Sequence, residues 1–422
     1  MPMHTYIFAP TGEAWPAISV NARIPPVASV GSDSASTVDD HPKKLRASTW
    51  LDQNQPVEQL TWAPGKPKVI RDQLVSDGGW IHRPGCCCFN LYRPPQIEHG
   101  DAQRADRWLE HLNLVYPDDV THILRYLAQR VQWPQEKINH ALVLGGMQGT
   151  GKDTILEPVK HAVGAWNFVD VSPTQLLGRF NGFVKSVVLR VSEARDLGEL
   201  DRYAFYDRTK IYTAAPPDVL RVDEKNLREY VVANVCGVII TTNHKTDGLY
   251  LPADDRRHYV AWSELTKEDF AVDYWTDLYR WYTSEGYRHV AAYLAEYDLS
   301  TFDPKAPPPK TAAFCDMVDA NRAPEDAELA DVLDKLGTPS AITLAVMANC
   351  AGTPFAEWLR DRKNARQIPH RMEAAGYVAV RNQDAGDGLW RIEGRRQVIY
   401  VRREQSVRDR LAAASGLARS DR

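Results

Sequence analysis

The sequence predicts an α/β chain whose middle is an open sheet carrying a phosphate-binding loop. A small helical and β region lies before it, and a separate basic domain lies after it. Three observations support this. A continuous apolar run over 140–144 ends in Gly145-Gly146 and leads into a glycine-rich stretch and then a helical pattern, which reads as a buried strand, a turn and a helix. Further apolar runs at 186–191, 235–241 and 258–262 are separated by polar and helical segments, as in a layered α/β sheet. The charge also changes sign along the chain. Residues 356–422 hold fifteen Lys/Arg and nine Asp/Glu, a net of about +6, whereas all 422 residues sum to −4. Residues 1–355 therefore sum to about −10, and the mild overall balance hides a basic end.

Composition narrows the class. The chain is 44% hydrophobic and 25% charged, which excludes disordered and collagen-like chains and leaves room for two or three folding units. Six cysteines, three of them consecutive at Cys86, Cys87 and Cys88, do not form a disulfide framework and fit a reducing cytoplasm. The first residues lack a charged-then-apolar leader, and no run approaches the ~18–20 apolar residues of a membrane span. A cytoplasmic location is expected.

In chain order, 1–45 reads as an arm of low periodicity, with Pro, Ser, Val and Asp and little pattern over 14–44. Residues 46–102 alternate short apolar runs with Pro and Gly, as expected of a small, partly β adaptor. His82, the three cysteines and His99 raise the question of zinc, but adjacent cysteines cannot easily converge on one ion, and buried thiols in a β-segment are the better reading. The region that holds the phosphate-binding loop is placed at 103–300. It begins with two helices over 103–135, marked by Ala105, Trp108, Leu109 and Leu112 and then by Val120, Ile123, Leu124, Leu127 and Ala128, and its core spans 138–265. A proline-rich connector covers 301–325. A basic domain fills 326–422.

The stretch GMQGTGKDT over 146–154 carries the chemistry. Glycines let backbone N–H groups turn inward on phosphate oxygens, the helix N-terminus adds positive potential, and Lys152 reaches the β- and γ-phosphates. Gly146, Gln148, Gly149, Thr150, Gly151, Lys152, Asp153 and Thr154 are the candidate binding residues for ATP. Asp153 stands where a magnesium-binding Ser or Thr is usual, and Thr154 follows one place late. A carboxylate beside a triphosphate needs a cation between them or must point away. Pro158 lies beyond the first turn of the following helix, where a kink or an early end is expected.

The acid that polarises the attacking water is expected at the end of a neighbouring strand, and Glu193 follows the run over 187–191. Ser192 occupies the position of a second acid. One reading moves that missing carboxylate to Asp153, so that Asp153 and Glu193 hold Mg²⁺. The other leaves Ser192 and outer-shell waters to suffice. A third strand ends in Thr241-Thr242-Asn243, and Asn243 can sense the γ-phosphate or position water.

With these motifs in order, residues 103–265 resemble a superfamily 3 helicase, the viral, phage and plasmid branch of the AAA+ ATPases, and especially the phage primase-helicase type. The resemblance rests on GMQGTGKDT, on the acid in VVLRVSEARD, on GVIITTNH and on the paired arginines in LPADDRRHYV. It implies a homo-oligomeric ring, usually a hexamer, with ATP between subunits and an arginine supplied in trans. Arg256 or Arg257 matches that arginine, whose planar fork and permanent charge suit a transferring phosphoryl group. The alternative for either is a salt bridge to Asp254 or Asp255. The resemblance also implies a basic pore motif that grips single-stranded DNA, with Lys225 and Arg228 as its candidates. No acid cluster with a histidine precedes the ATPase region, so a separate primase or polymerase is the expected partner.

In the last domain, helices at 329–336, 341–348 and 355–374 and strands at 376–380, 389–392 and 397–401 read as winged-helix-like. Arg360, Arg362, Lys363, Arg366 and Arg371 cluster on or near its third helix, with Arg362, Lys363 and Arg366 as DNA candidates. The expected function is an ATP- and Mg²⁺-dependent helicase at a replication fork. The alternatives are an initiator that uses ATP only to assemble, or a packaging or defence motor.

Overall fold

The apolar run at 140–144 becomes β1 (Ala141–Gly146), every residue of which is buried. A strand hydrophobic throughout needs cover on both faces and neighbours on both edges. In the computed structural model, which describes residues 5–28, 44–192, 198–225, 229–245, 249–320, 324–365 and 367–420, it has both. β2 (Phe168–Val171), β3 (Val188–Val191), β4 (Gly237–Thr242) and β5 (His258–Ser263) join β1 in one five-stranded sheet of order β5-β1-β4-β3-β2. All four pairings are parallel, so every strand carries its C-terminal end to the same edge. β1 and β4 end there, at Gly146 and Thr242, whereas Arg257 precedes β5 at the opposite edge.

The two expected helices form at Asp106–Val115 and Val120–Gln132. Polar tips pin them to the sheet. The Tyr116 hydroxyl donates to Gly145 O at 3.0 Å and the Tyr126 hydroxyl to Val238 O at 2.8 Å. Arg130, fully buried, donates to the carbonyls of Val235, Trp133 and Glu136. Each bond satisfies a backbone group that burial would otherwise leave unpaired.

Gly145 marks the tightest approach in this layer. A β-carbon there would lie 2.2 Å from Trp262 Cε3 and 2.5 Å from Cζ3, and Trp262 is its partner across the β5–β1 pairing. Gly145→Ala is therefore expected to cost about 1–3 kcal/mol through overpacking, read as a lower urea midpoint. An unchanged midpoint would show that Trp262 can move away freely.

The helix after the loop, α1 (Lys152–Val163), runs through Pro158 without ending. Proline removes the N–H that would bond to the carbonyl four residues earlier. Here that carbonyl, Thr154 O, accepts instead from the Tyr282 hydroxyl at 3.1 Å. The expected break is thus offset by a side chain more than a hundred residues away.

Residues 5–28 also depart from the expected arm. Tyr6–Phe8 pairs with Glu13–Trp15, and a helix follows at Ala17–Arg23. Phe8 stacks on Trp15 at 4.5 Å, the Arg23 guanidinium lies 4.3 Å from the Trp15 ring, and Asn21 bonds both the side chain and the amide of Ser48. These side-chain contacts hold a segment that has little hydrophobic period. The adaptor is a three-stranded sheet of Gln59–Thr61, Val69–Ser76 and Gly79–Asn90, with the last in the middle. Cys86, Cys87 and Cys88 lie on that middle strand as free thiols. Cys88 is fully buried, and burial, aided by Cys87 and Glu58, pushes its thiol up to about 12. Among the described residues no cluster of three His, Cys, Asp or Glu could hold a metal.

The chain divides into two compact units, Met1–Val318 and Asp319–Arg422. In the second, the helix expected over 355–374 is two helices, Thr353–Arg360 and Ile368–Ala374. Asp361 breaks it by accepting from Lys363 N at 2.9 Å, and Pro369 starts the next. The segment expected as a helix from 341 opens as a strand, Ala341–Thr343, paired with Ile399–Val401. Thr343 then caps the helix Leu344–Cys350, because its hydroxyl takes an otherwise unpaired N–H. The sheet is completed by Tyr377–Val380, and Trp390–Ile392 pairs with Arg395–Gln397 in a separate hairpin. A final helix, Val407–Ser420, packs Ala414 into this β core and has no counterpart in the sequence reading. No described helix is long and apolar enough to cross a membrane.

Candidate phosphate-binding site

Between β1 and α1 the chain makes a tight loop. Its crest, Met147 to Gly149, is exposed, and its base is packed. Thr150 is buried and donates its hydroxyl to Met147 O at 3.0 Å, which closes the loop on itself. Gly151 adopts φ +82°, and a β-carbon there would meet Trp275 Cη2 at 2.5 Å and His111 Cε1 at 2.6 Å. Only glycine satisfies both the left-handed backbone and the close approach.

Lys152 opens α1 with 5% of its surface exposed. Its ammonium donates to Gly146 O and Met147 O, both at 2.7 Å, and to Asn243 Oδ1 at 2.8 Å. Burial lowers its pKa, and Asp153 partly opposes this. Asn243 follows β4, so the contact joins two elements of the sheet edge that the sequence reading placed in one site. Gln148, Gly149, Gly151, Lys152, Asp153, Thr154, Ser192, Thr241 and Asn243 line one cleft of about 490 Å³, together with Arg190, Trp275 and Tyr279. Gly146 lies at its base through the Lys152 contact.

Asp153, the expected metal ligand, lines this cleft and carries an ion pair. Its carboxylate pairs with Arg190 Nη1 at 2.8 Å, and Arg190 also bonds Asp170 through Nε. Parallel pairing sets Arg190 of β3 beside Asp170 of β2, so one guanidinium bridges two carboxylates. The local cation beside Asp153 is therefore a side chain of the chain itself. Thr154 is buried, with its hydroxyl 3.5 Å from that of Tyr279. Glu193, and with it the expected water-polarising role, lies outside the described residues, as do Arg228 and Arg366.

Arg256 and Arg257 are not on this cleft. They precede β5 at the far edge of the sheet, where Ala141 N donates to Arg257 O at 2.7 Å. Six residues of strand, roughly 20 Å at about 3.3 Å each, separate them from the loop. Among the described residues neither guanidinium forms an ion pair. Asp255, one of the carboxylates weighed as a partner, is buried and accepts from Arg257 N at 2.9 Å and Tyr206 Oη at 2.8 Å, with His258 Nδ1 at 3.1 Å. Burial pushes that carboxyl up, but the His258 contact and the two other donors outweigh it and hold it at about 2.

Lys225 is exposed in the turn after Val219–Val222, a strand that pairs with Tyr230–Ala233 in a hairpin. The adaptor braces this hairpin, through Thr61 Oγ1 to Val231 O at 3.0 Å and Arg221 to Asp77 at 2.7 Å. In the second unit Arg362 and Lys363 are exposed on the turn between the two short helices. Arg371 is not: it pairs with Asp326 at 2.6 Å and Glu325 at 3.4 Å, and its guanidinium lies 5.2 Å from the Trp358 ring.

Sequence reasoning missed the packing beneath the loop. His111 is fully buried, with Nε2 3.2 Å from Gly151 O and Nδ1 2.9 Å from Tyr274 Oη. A carbonyl only accepts, so Nε2 carries the proton and Nδ1 accepts from the tyrosine. Burial, with help from Arg107 and against the Gly151 bond, brings His111 down to about 4. It falls on the buried face of the first helix, beside Trp108 and Leu112, which was its one visible signal.

The parallel sheet, with its glycine loop between β1 and α1, is compatible with a P-loop-like α/β core. A family of unknown function, DUF5906, matches residues 144–257. The DNA primase-polymerase of Nitratiruptor phage NrS-1 is 21% identical over 168 residues, covering 40% of this chain and only 22% of that protein. The solved apo structure of the NrS-1 C-terminal region superposes with a TM-score of 0.56 at 15% identity, over 81% of this chain and 84% of that one. The A form of the same region gives 0.54 at 14%, over 86% and 92%. The chain thus shares a fold with the C-terminal part of a phage primase-polymerase.

Proposed function

We propose that this chain is an ATP-hydrolysing DNA helicase of the superfamily 3 type, working in replication as a ring. One observation carries the reading: the Lys152 ammonium sits at the loop between β1 and α1 and is held by Asn243 from the end of β4. A cation and a strand-end amide on one cleft are what a γ-phosphate needs for binding and sensing. Lys152 exchanges its two loop carbonyls for phosphate oxygens, and the loop amides cradle the remainder. The position of Arg256 and Arg257, away from their own loop and unpaired among the described residues, suits donation to a nucleotide held by a neighbouring copy. Glu193 is assigned the activation of water.

Magnesium fits the donor set as an ion that arrives with the triphosphate. Ser192, Thr241 and Thr154 offer hydroxyls, and Asp153 offers a carboxylate that it shares with Arg190. Mg²⁺ bound to phosphates keeps most of its waters, so few protein ligands suffice. When bound it would offset phosphate charge. Lys225 on the braced hairpin, with Arg228, is the proposed contact to single-stranded DNA. Arg362, Lys363 and Arg366 are proposed as further contacts on a winged-helix-like unit. The similarity to a primase-polymerase supports a role beside DNA synthesis.

The test is ATP hydrolysis by the full chain with and without single-stranded DNA, run beside displacement of a labelled strand. Hydrolysis stimulated by DNA together with displacement is the expected result. Hydrolysis without displacement would instead favour an initiator or a packaging motor.

A further inference from the structure

The cleft continues past the phosphate loop into a wall that the proposed chemistry does not use. α2 (Tyr274–Trp281) presents Trp275 and Tyr279 to it, and a spacing of four residues places both on one helical face. Both rings flank the first turn of α1. Trp275 abuts Gly151, and the Tyr279 hydroxyl is 3.5 Å from that of Thr154. A triphosphate held by the amides of that turn delivers its nucleoside to its rim, where these rings stand.

We propose that Trp275 and Tyr279 form a stacking wall for the base of the nucleoside triphosphate. The inference rests on the phosphate-site reading and names the other half of its ligand. Trp275 is preorganised, with Phe270 at 4.7 Å and His111 and Tyr274 set edge-on at 5.6 and 5.1 Å. Tyr279 is 43% exposed, with Tyr282 edge-on at 5.8 Å as its ring neighbour. An aromatic ring left open beside a phosphate loop has the surface a base covers. The wall carries few groups that could read the edge of a base: the Tyr279 hydroxyl, and Gln148 from the loop crest. Recognition by the face alone tolerates different bases, because every base has a π-face.

The experiment titrates the full chain calorimetrically with magnesium salts of ATP, GTP and tripolyphosphate, the last being the phosphate chain without a base. Wild type is expected to bind ATP more tightly than tripolyphosphate, and GTP within about tenfold of ATP. Tyr279→Ala should weaken ATP by about tenfold and leave tripolyphosphate unchanged, as expected for loss of one stacking partner. Tyr279→Phe should bind as wild type does. Equal weakening of both ligands by Tyr279→Ala, or weakening of neither, overturns the wall, as does Tyr279→Phe losing as much as Tyr279→Ala. A hundredfold preference between ATP and GTP would show that the edge is read, and also overturns it. If wild type binds no tripolyphosphate, the phosphate-site reading falls and takes the wall with it. Tripolyphosphate bound with ATP unaffected by Tyr279→Ala removes the wall alone.

Discussion

Lys152→Ala is expected to lower ATP hydrolysis by roughly 10²- to 10³-fold or more, the usual cost of deleting one preorganised charge-stabilising donor. The geometry puts that cost on chemistry more than on folding. The ammonium is nearly buried and is held by two carbonyls and one amide oxygen, with no carboxylate among these acceptors. A cation so placed is paid for in desolvation, as the downward shift of its pKa shows. Removing it relieves that cost, while the loop carbonyls lie near an exposed crest that water can reach. The melting temperature should therefore hold steady or rise as activity disappears. Activity retained in a folded mutant would remove Lys152 from the site.

Stability should fall steeply on mild acidification, well above the carboxylate range. His111 is held at about 4, His122 at about 4 and His140 at about 3, in each case chiefly by burial. A histidine whose folded pKa is depressed contributes stability above its unfolded value, near 6.5, and loses it as pH falls through the folded value. His122 and His140 share one contact, Nε2 to Nε2 at 3.0 Å. One nitrogen must donate and the other accept, so protonating both sets two donors face to face. Counting that pair once, His111 and the pair each contribute of the order of 3 kcal/mol by pH 4. Together they approach the whole stability of an ordinary domain. Urea midpoints measured from pH 7.5 to 4 should be flat above about 6.5 and then decline. A constant midpoint across that window would mean that these rings are already solvated. Asp255 acts in a lower window: its folded pKa of about 2 lies below the ordinary 3.8, so its contribution persists through mild acid and is lost only as pH falls from 3.8 through 2.

The central sheet and its loop were legible because their signals are local. The apolar run before Gly145, the glycines at 149 and 151 and the helical period after Lys152 each occupy a few adjacent residues, and backbone sterics and burial act at that range. Asn243 was readable for the same reason, as the polar end of an apolar strand. That Lys152 and Asn243 meet follows once β1 and β4 are neighbours in a parallel sheet. The early end that Pro158 made one of two expectations does not occur, because helix propensity is local, whereas the group that satisfies Thr154 O is not. The third helix of the basic domain failed differently, since Asp361 and Pro369 are local stop and start signals that the apolar period obscured.

By itself, then, the sequence determined a strand, a phosphate loop and a helix in that order, a parallel α/β sheet to hold them, and a basic final unit. Tertiary structure alone decided what surrounds the loop. It brought His111 and Trp275 against Gly151, set the guanidinium of Arg190 beside Asp153, and set Tyr279 on the cleft. It also placed the hairpin of Lys225 against the adaptor and left Arg256 and Arg257 at the opposite edge of the sheet from the loop. Each of these is a contact between residues distant in the chain. Their energies come from burial and pairing across elements, which leave no period or spacing in the sequence from which to read them.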